Sequence, residues 1–188
     1  RKARRTITSG LNLIKNKFIL STIHRNNNTD DPERLSSIFE ALNHISSVEE
    51  TDIILPLHPR TSKIIEQNLD KALYSKLIAN PHLKIVKPVS FLDMIALEKN
   101  CSMVITDSGG VQKEAYYFKK PCVILRSETE WVEIVNQKAA RIANADKELI
   151  IESYHRLSED KNIKYPEIFG DGKASEFICQ TMLDNQLS

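Results

Sequence analysis

The sequence predicts an α/β fold, a mostly parallel Rossmann-like sheet with helices on both faces. Short apolar runs recur at Phe18–Thr22, Asp52–Leu57, Leu83–Val86, Met103–Thr106 and Cys122–Leu125. The stretches between them carry apolar residues at helical spacing. Strands that alternate with amphipathic helices lie side by side in parallel and are covered from above and below. A third observation concerns polarity: the polar clusters follow the carboxyl ends of these strands, the edge at which such sheets hold ligands.

Taken in order, the first strand is Phe18 to Thr22, ending at Ile23-His24-Arg25. A polar loop, Asn26 to Pro32, follows. Asp31 before Pro32 starts a helix, with a capping side chain and then Pro at the first position. Leu35, Ile38, Phe39, Leu42 and Ile45 form its apolar face. The second strand, Asp52 to Leu57, is followed by His58-Pro59-Arg60-Thr61. One further helix is expected from Ile64, Ile65, Leu69, Leu73, Leu77 and Ile78, broken at Asn80-Pro81. The third strand is Leu83 to Val86. Pro88 sets up a helix from Phe91 to Glu98, with Leu92, Ile95 and Ala96 inward.

The central stretch then runs from Cys101 to Arg126: a strand (Met103 to Thr106), a tight Asp107-Ser108-Gly109-Gly110 turn, a helix and a fifth strand. Glu130 to Val135 reads as helix and Ala140 to Ala143 as a short sixth strand. Asp146 caps a helix whose inner residues are Leu149, Ile150, Tyr154 and Leu157. A last helix spans Ala174 to Leu183.

With 26 basic and 25 acidic side chains in 188 residues, the charge balance argues against a nucleic-acid partner recognised by global charge. No apolar run approaches the roughly 18 residues of a membrane span, and the basic start Arg1 to Arg5 lacks the apolar stretch of a signal peptide. The three cysteines, Cys101, Cys122 and Cys179, are widely spaced and form no CxxC pair, which fits a reducing, cytoplasmic setting. The chain begins without Met, as a fragment or trimmed chain would.

The adjacent glycines Gly109 and Gly110 allow close backbone approach and backbone angles that other residues resist. The helix start behind them offers unpaired N–H groups to an anion. Alone, this turn is equally consistent with a phosphate cradle and with a plain strand-to-helix connection. The clusters at the other strand ends favour a cleft: His24-Arg25, His58-Arg60, Lys87-Ser90 and Arg126-Glu130 join it on one edge. Arg25 and Arg126 can fork onto phosphate oxygens, and His24 can act as acid, base or phosphate partner. Glu114, one turn above Gly110, suits either a pair of ribose hydroxyls or a solvated first turn. Glu130 is either an acid in the cleft or the cap of the short helix after it. No His/Cys/Asp/Glu set has metal-ligand spacing, Ser108 lacks a nucleophile elbow, and neither a Walker loop nor GxGxxG is present.

Thr22-x-His24-Arg25, Pro56-x-His58, Thr106-Asp-Ser-Gly-Gly-x-Gln-x-Glu-Ala115, Lys120-Pro121, Arg126-x-x-Thr-Glu-x-x-Glu133 and Phe169-Gly-Asp-Gly-x-Ala174 follow one another in this order. In that order the blocks resemble the C-terminal half of the non-hydrolysing UDP-N-acetylglucosamine 2-epimerases. The resemblance implies one half of a glycosyltransferase-B-type fold, with residues 1–17 as a linker and leading segment, residues 18–188 as the UDP-binding domain, and an N-terminal catalytic domain absent. It implies diphosphate binding by Ser108, Gly109 and Gly110, ribose binding by Glu114, a catalytic role for His24 near the diphosphate, and substrate contact by Arg126. Val89 and Met94 fall near the uridine, as backbone or packing contacts. His58 matches an allosteric substrate contact, in a His-Pro-Arg-Thr context where bacterial relatives carry His-x-Asn-Pro.

The implied reaction interconverts UDP-N-acetylglucosamine and its manno epimer by eliminating and re-adding UDP, without a cofactor. Its carboxylates would sit in the N-terminal domain, so this fragment alone is expected to bind UDP without turnover. Expected partners are the UDP-sugar, the chain's own N-terminal domain and a second copy in a homodimer. The Thr129-Glu130-Trp131-Val132-Glu133 run also resembles relatives acting on UDP-diacetamido-glucuronate, and a glycosyltransferase donor-binding domain is the alternative of another class.

Overall fold

The computed structural model describes residues 7–57 and 59–186. These residues form one sheet from β1 (Phe18–Thr22), β2 (Asp52–Pro56), β3 (Leu83–Val86), β4 (Met103–Thr106), β5 (Cys122–Ile124) and β6 (Ala140–Ile142). The strand order is β3-β2-β1-β4-β5-β6 and each neighbouring pair is parallel. The helices are α1 (Ile7–Gly10), α2 (Asn26–Thr29), α3 (Pro32–Val48), α4 (Pro59–Asn68), α5 (Lys71–Ala79), α6 (Phe91–Asn100), α7 (Gly109–Tyr117), α8 (Val132–Asn136), α9 (Lys147–Glu159) and α10 (Ala174–Gln186).

Because side chains alternate along a strand, the sheet feeds two cores. Ile19, Ile53, Leu55, Met103, Ile105 and Val123 point to one face, against α3, α4, α5 and α9. Phe18, Leu20, Ile54, Val104, Cys122 and Ile124 point to the other, against α6, α7 and α8, with Ile7, Leu11 and Leu13 of the leading segment packed on its margin. Each fully buried Leu, Ile or Phe contributes about 1.5–3 kcal/mol relative to exposure. The helices between β1, β2 and β3 cover one face and those between β3, β4, β5 and β6 cover the other. Right-handed crossovers impose this when strand order reverses direction at β1.

Several local expectations are corrected. Asn26–Thr29, expected as loop, forms a helical turn whose Asn28 and Thr29 are buried. The single helix expected across 64–78 is two, because the Asp70 side chain caps a new start by accepting from the Ala72 and Leu73 N–H groups. Pro59 to Thr61, which follow the second strand, already form the first turn of α4. On α6 the inward residues are Leu97 and Glu98, whereas Leu92 is 69% exposed. Leu149 of α9 likewise turns outward. Asp31 and Asp146 cap their helices as expected.

Candidate functional site

At the carboxyl edge of the sheet, chains leaving β1 and β4 diverge to opposite faces and open a crevice between them. Thr22 and Thr106 close its floor through a hydroxyl hydrogen bond of 2.5 Å. Above them sits Asp107, fully buried. Its carboxylate accepts from the backbone N–H of His24 (3.0 and 3.2 Å), the N–H of Arg25 (3.0 Å) and the Asn28 amide (3.2 Å). A buried carboxylate needs such donors, and here they come from a chain segment 83 residues away. Asn28 also donates to the Leu125 carbonyl at 3.0 Å, which ties the end of β5 to the same hub. The His24 ring lies with Nδ1 3.4 Å from Asp107 and its side chain 53% exposed, so it is anchored on one side and accessible on the other.

Ser108 is the N-cap of α7. Its N–H donates to Thr106 Oγ1 (2.9 Å) and its hydroxyl accepts from the Val111 N–H (3.4 Å). The two glycines do not serve unusual backbone angles: they form the first turn of α7, and positive φ among the described glycines occurs at Gly170 and Gly172. Close approach is what Gly109 provides. A Cβ there would lie 3.1 Å from Glu130 Oε2 and 3.8 Å from Arg126 Nη1. At Gly110 it would meet Ser108 Oγ at 3.8 Å.

The segment after β5 folds over this helix start. Arg126, whose side chain is 13% exposed, donates from Nη1 to Glu130 Oε2 at 2.6 Å. The other Glu130 oxygen lies 3.7 Å from Arg25 Nη2. The hydrogen bond from Arg126 holds the Glu130 carboxyl at about 2, well below its ordinary range, and the same contact pushes Arg126 up. Glu130 therefore pairs with the arginines and does not cap α8; Trp131 stands at that N-cap without a side-chain bond. Trp131 instead donates its ring N–H to the Gly109 carbonyl (2.7 Å), and Thr129 donates to Gln112 Oε1 at 2.6 Å. Lys113 lies over the Trp131 ring at 4.3 Å.

Glu114 is half-buried on α7 and faces α6, where Glu98 lies against it. Val89 and Met94 are half-buried and pack on the core that includes Val111 and Ala115 of α7. His58 lies outside the described residues. Thus His24, Arg25, Ser108, Gly109, Gly110, Arg126 and Glu130 meet at one crevice, with Glu114, Val89 and Met94 along the α6–α7 side. Sequence reasoning missed Asp107 as hub, Asn28 as its partner, and Trp131 as the brace on α7. The one local signal was an Asp placed directly at a buried strand's end.

A helix start opened by two glycines, two guanidinium groups and an imidazole together suit a multiply charged anion. Fold and crevice define a doubly wound Rossmann-like domain with a polar crevice at its topological switch point. Comparison with known proteins gives the family. Residues 1–183 match the family model described as UDP-N-acetylglucosamine 2-epimerase, and the chain belongs to that family. It is similar to the UDP-2,3-diacetamido-2,3-dideoxy-D-glucuronate 2-epimerase of Pseudomonas aeruginosa, 46% identical over 164 residues covering 87% of this chain and 43% of the relative. The UDP-N-acetylglucosamine 2-epimerase of Methanocaldococcus jannaschii is 38% identical over 171 residues, covering 90% of this chain and 45% of the relative. The solved structure of the M. jannaschii UDP-GlcNAc 2-epimerase in complex with UDP-GlcNAc and UDP is 37% identical with a TM-score of 0.80, over 93% of this chain and 47% of that one. The chain spans less than half the length of these relatives. Among the described residues no helix is long and apolar enough to cross a membrane.

Proposed function

We propose that this chain is the UDP-binding half of a UDP-N-acetylglucosamine 2-epimerase. The observation that carries the reading is the meeting of the Ser108-capped α7 start with Arg126, Arg25 and His24 at the switch point. The diphosphate lies on the N–H groups of Gly109 and Gly110, with the arginines on its flanks and His24 across the crevice. Glu114, one turn on, accepts from the ribose hydroxyls. Val89 and Met94 support the base, which gives base, ribose and diphosphate one continuous path along α7.

In the reaction a base removes the carbon-2 proton of the sugar while the carbon-1 to oxygen bond breaks. The electron pair of the broken bond leaves with the diphosphate and a carbon-1 to carbon-2 double bond forms. Returning the proton to the other face and the diphosphate to carbon 1 completes inversion. This chain's residues serve the leaving group: fixed donors and cations stabilise the departing diphosphate where its charge grows. Asp107 holds His24 in register for that contact. The base that takes the carbon-2 proton belongs to the remaining half of the relatives' length.

Calorimetric titration with UDP tests the reading. Wild-type chain binds UDP, and Ser108→Trp, which fills the seat, abolishes binding. Failure of the wild-type chain to bind UDP overturns the assignment, and epimerisation by this chain alone overturns the division of labour. The alternative substrate, UDP-diacetamido-glucuronate, is favoured by the 46% identity to the P. aeruginosa enzyme. Turnover of both sugars by the protein joined to its other half separates the two.

A further inference from the structure

The binding reading leaves one buried ionisable group without a task. Glu98 of α6 is fully buried, and neither carboxyl oxygen meets a hydrogen-bond donor. The polar side chain facing it is another carboxylate, Glu114 of α7. Lys120, a cation beside Cys101, donates to Asn16 Oδ1 at 2.7 Å. The Cys101 thiol donates to the Glu98 main-chain carbonyl at 3.1 Å and leaves the carboxyl untouched.

Two carboxyl groups in contact, one of them out of water and without a cation, cannot both ionise; a proton between them turns repulsion into a hydrogen bond. The buried member keeps that proton, since charge is costlier there. Glu98 stands one turn beyond Met94 on α6, so both side chains lie on the same flank of that helix. A long, flexible Glu114 side chain beside a groove would otherwise sample several rotamers, and a partner at its back removes that freedom.

We propose that Glu98 is a positioning residue of the nucleotide seat: its buried carboxyl donates its O–H to Glu114 and presents the remaining Glu114 oxygen lone pairs to a vicinal diol such as a ribose. The inference rests on the UDP-binding reading above. Glu98 touches no substrate and acts through Glu114.

Titrating the 188-residue chain with UDP and with 2′,3′-dideoxy-UDP tests it. Wild-type protein prefers UDP through the hydroxyls. Glu98→Ala lowers UDP affinity about tenfold and leaves dideoxy-UDP affinity within about twofold, because only the hydroxyl contact is disturbed. Glu98→Gln, which keeps an N–H donor toward Glu114, restores the preference. Equal loss of both ligands in Glu98→Ala, or no loss of either, overturns the proposal, as does a Glu98→Gln variant no better than Glu98→Ala. Carbon-13 NMR of glutamate-labelled protein provides a measurement independent of nucleotide. A protonated glutamate carboxyl at neutral pH, absent in Glu98→Gln, is expected, and its absence from wild type overturns the shared proton. If wild type shows that resonance but binds no UDP, the binding reading fails and the Glu98–Glu114 pair stands.

Discussion

Raising the pH through neutrality destabilises this fold through Glu98. Burial, with Glu114 as the second cause, pushes its carboxyl from 4.5 up to about 8 in the folded protein. In the unfolded chain the same group ionises near its ordinary value. Between these values the folded state holds a proton that the unfolded state has lost, so stability is full below the lower value and falls as pH rises toward the upper one. For one group the slope approaches about 1.4 kcal/mol per pH unit, which amounts to about 3 kcal/mol at neutral pH and on the order of 5 kcal/mol across the whole window. Other groups titrate as well, but Cys101 is pushed up to about 12 by burial and stays neutral here. The difference between wild type and Glu98→Gln cancels the rest. The assay is urea unfolding, followed by circular dichroism, at several pH values from 5 to 8. The two proteins are expected to match within about 1 kcal/mol at the acid end, and the variant to be about 3 kcal/mol the more stable near neutrality. Parallel stability curves for the two proteins would refute the reasoning, because they would mean that Glu98 ionises alike in the folded and unfolded states.

Asp107→Asn removes a buried charge that accepts from two backbone N–H groups and the Asn28 amide. It should cost about 2–4 kcal/mol in urea unfolding and weaken UDP binding by freeing His24. In Gly109→Ala the new methyl meets the movable end of Glu130 at 3.1 Å. Stability should change by less than about 1 kcal/mol while UDP affinity falls at least about tenfold, since the methyl stands on the anion seat. Arg126→Gln should weaken UDP about a hundredfold and leave uridine within about twofold, a comparison made by calorimetry. Equal loss of uridine would show that Arg126 supports the fold of the crevice rather than the anion.

Local pattern carried much of this protein. The alternation of apolar strands with amphipathic helices specified a parallel sheet covered on both faces, because burial on two sides demands apolar residues at consecutive strand positions. Asp31 and Asp146 announced their helix starts, since a cap bonds to N–H groups two or three residues away. The ordered blocks around Ser108-Gly109-Gly110 pointed to the family. Tertiary structure decided what depends on residues distant in sequence. The pairing of β1 with β4 brought His24 and Arg25 onto Asp107, and no local periodicity encodes a contact 83 residues long. Whether α6 turned Leu92 or Leu97 inward depended on the neighbours it packs against, because both positions are apolar. The role of Gly109 became clear only once Arg126 and Glu130 were seen folded over it. In the sequence Glu98 marks only the end of the helix expected from Phe91, outside the inner face assigned to it. Its burial against Glu114 arises where two helices meet, and a charge expelled from water is a property of that meeting rather than of the residue.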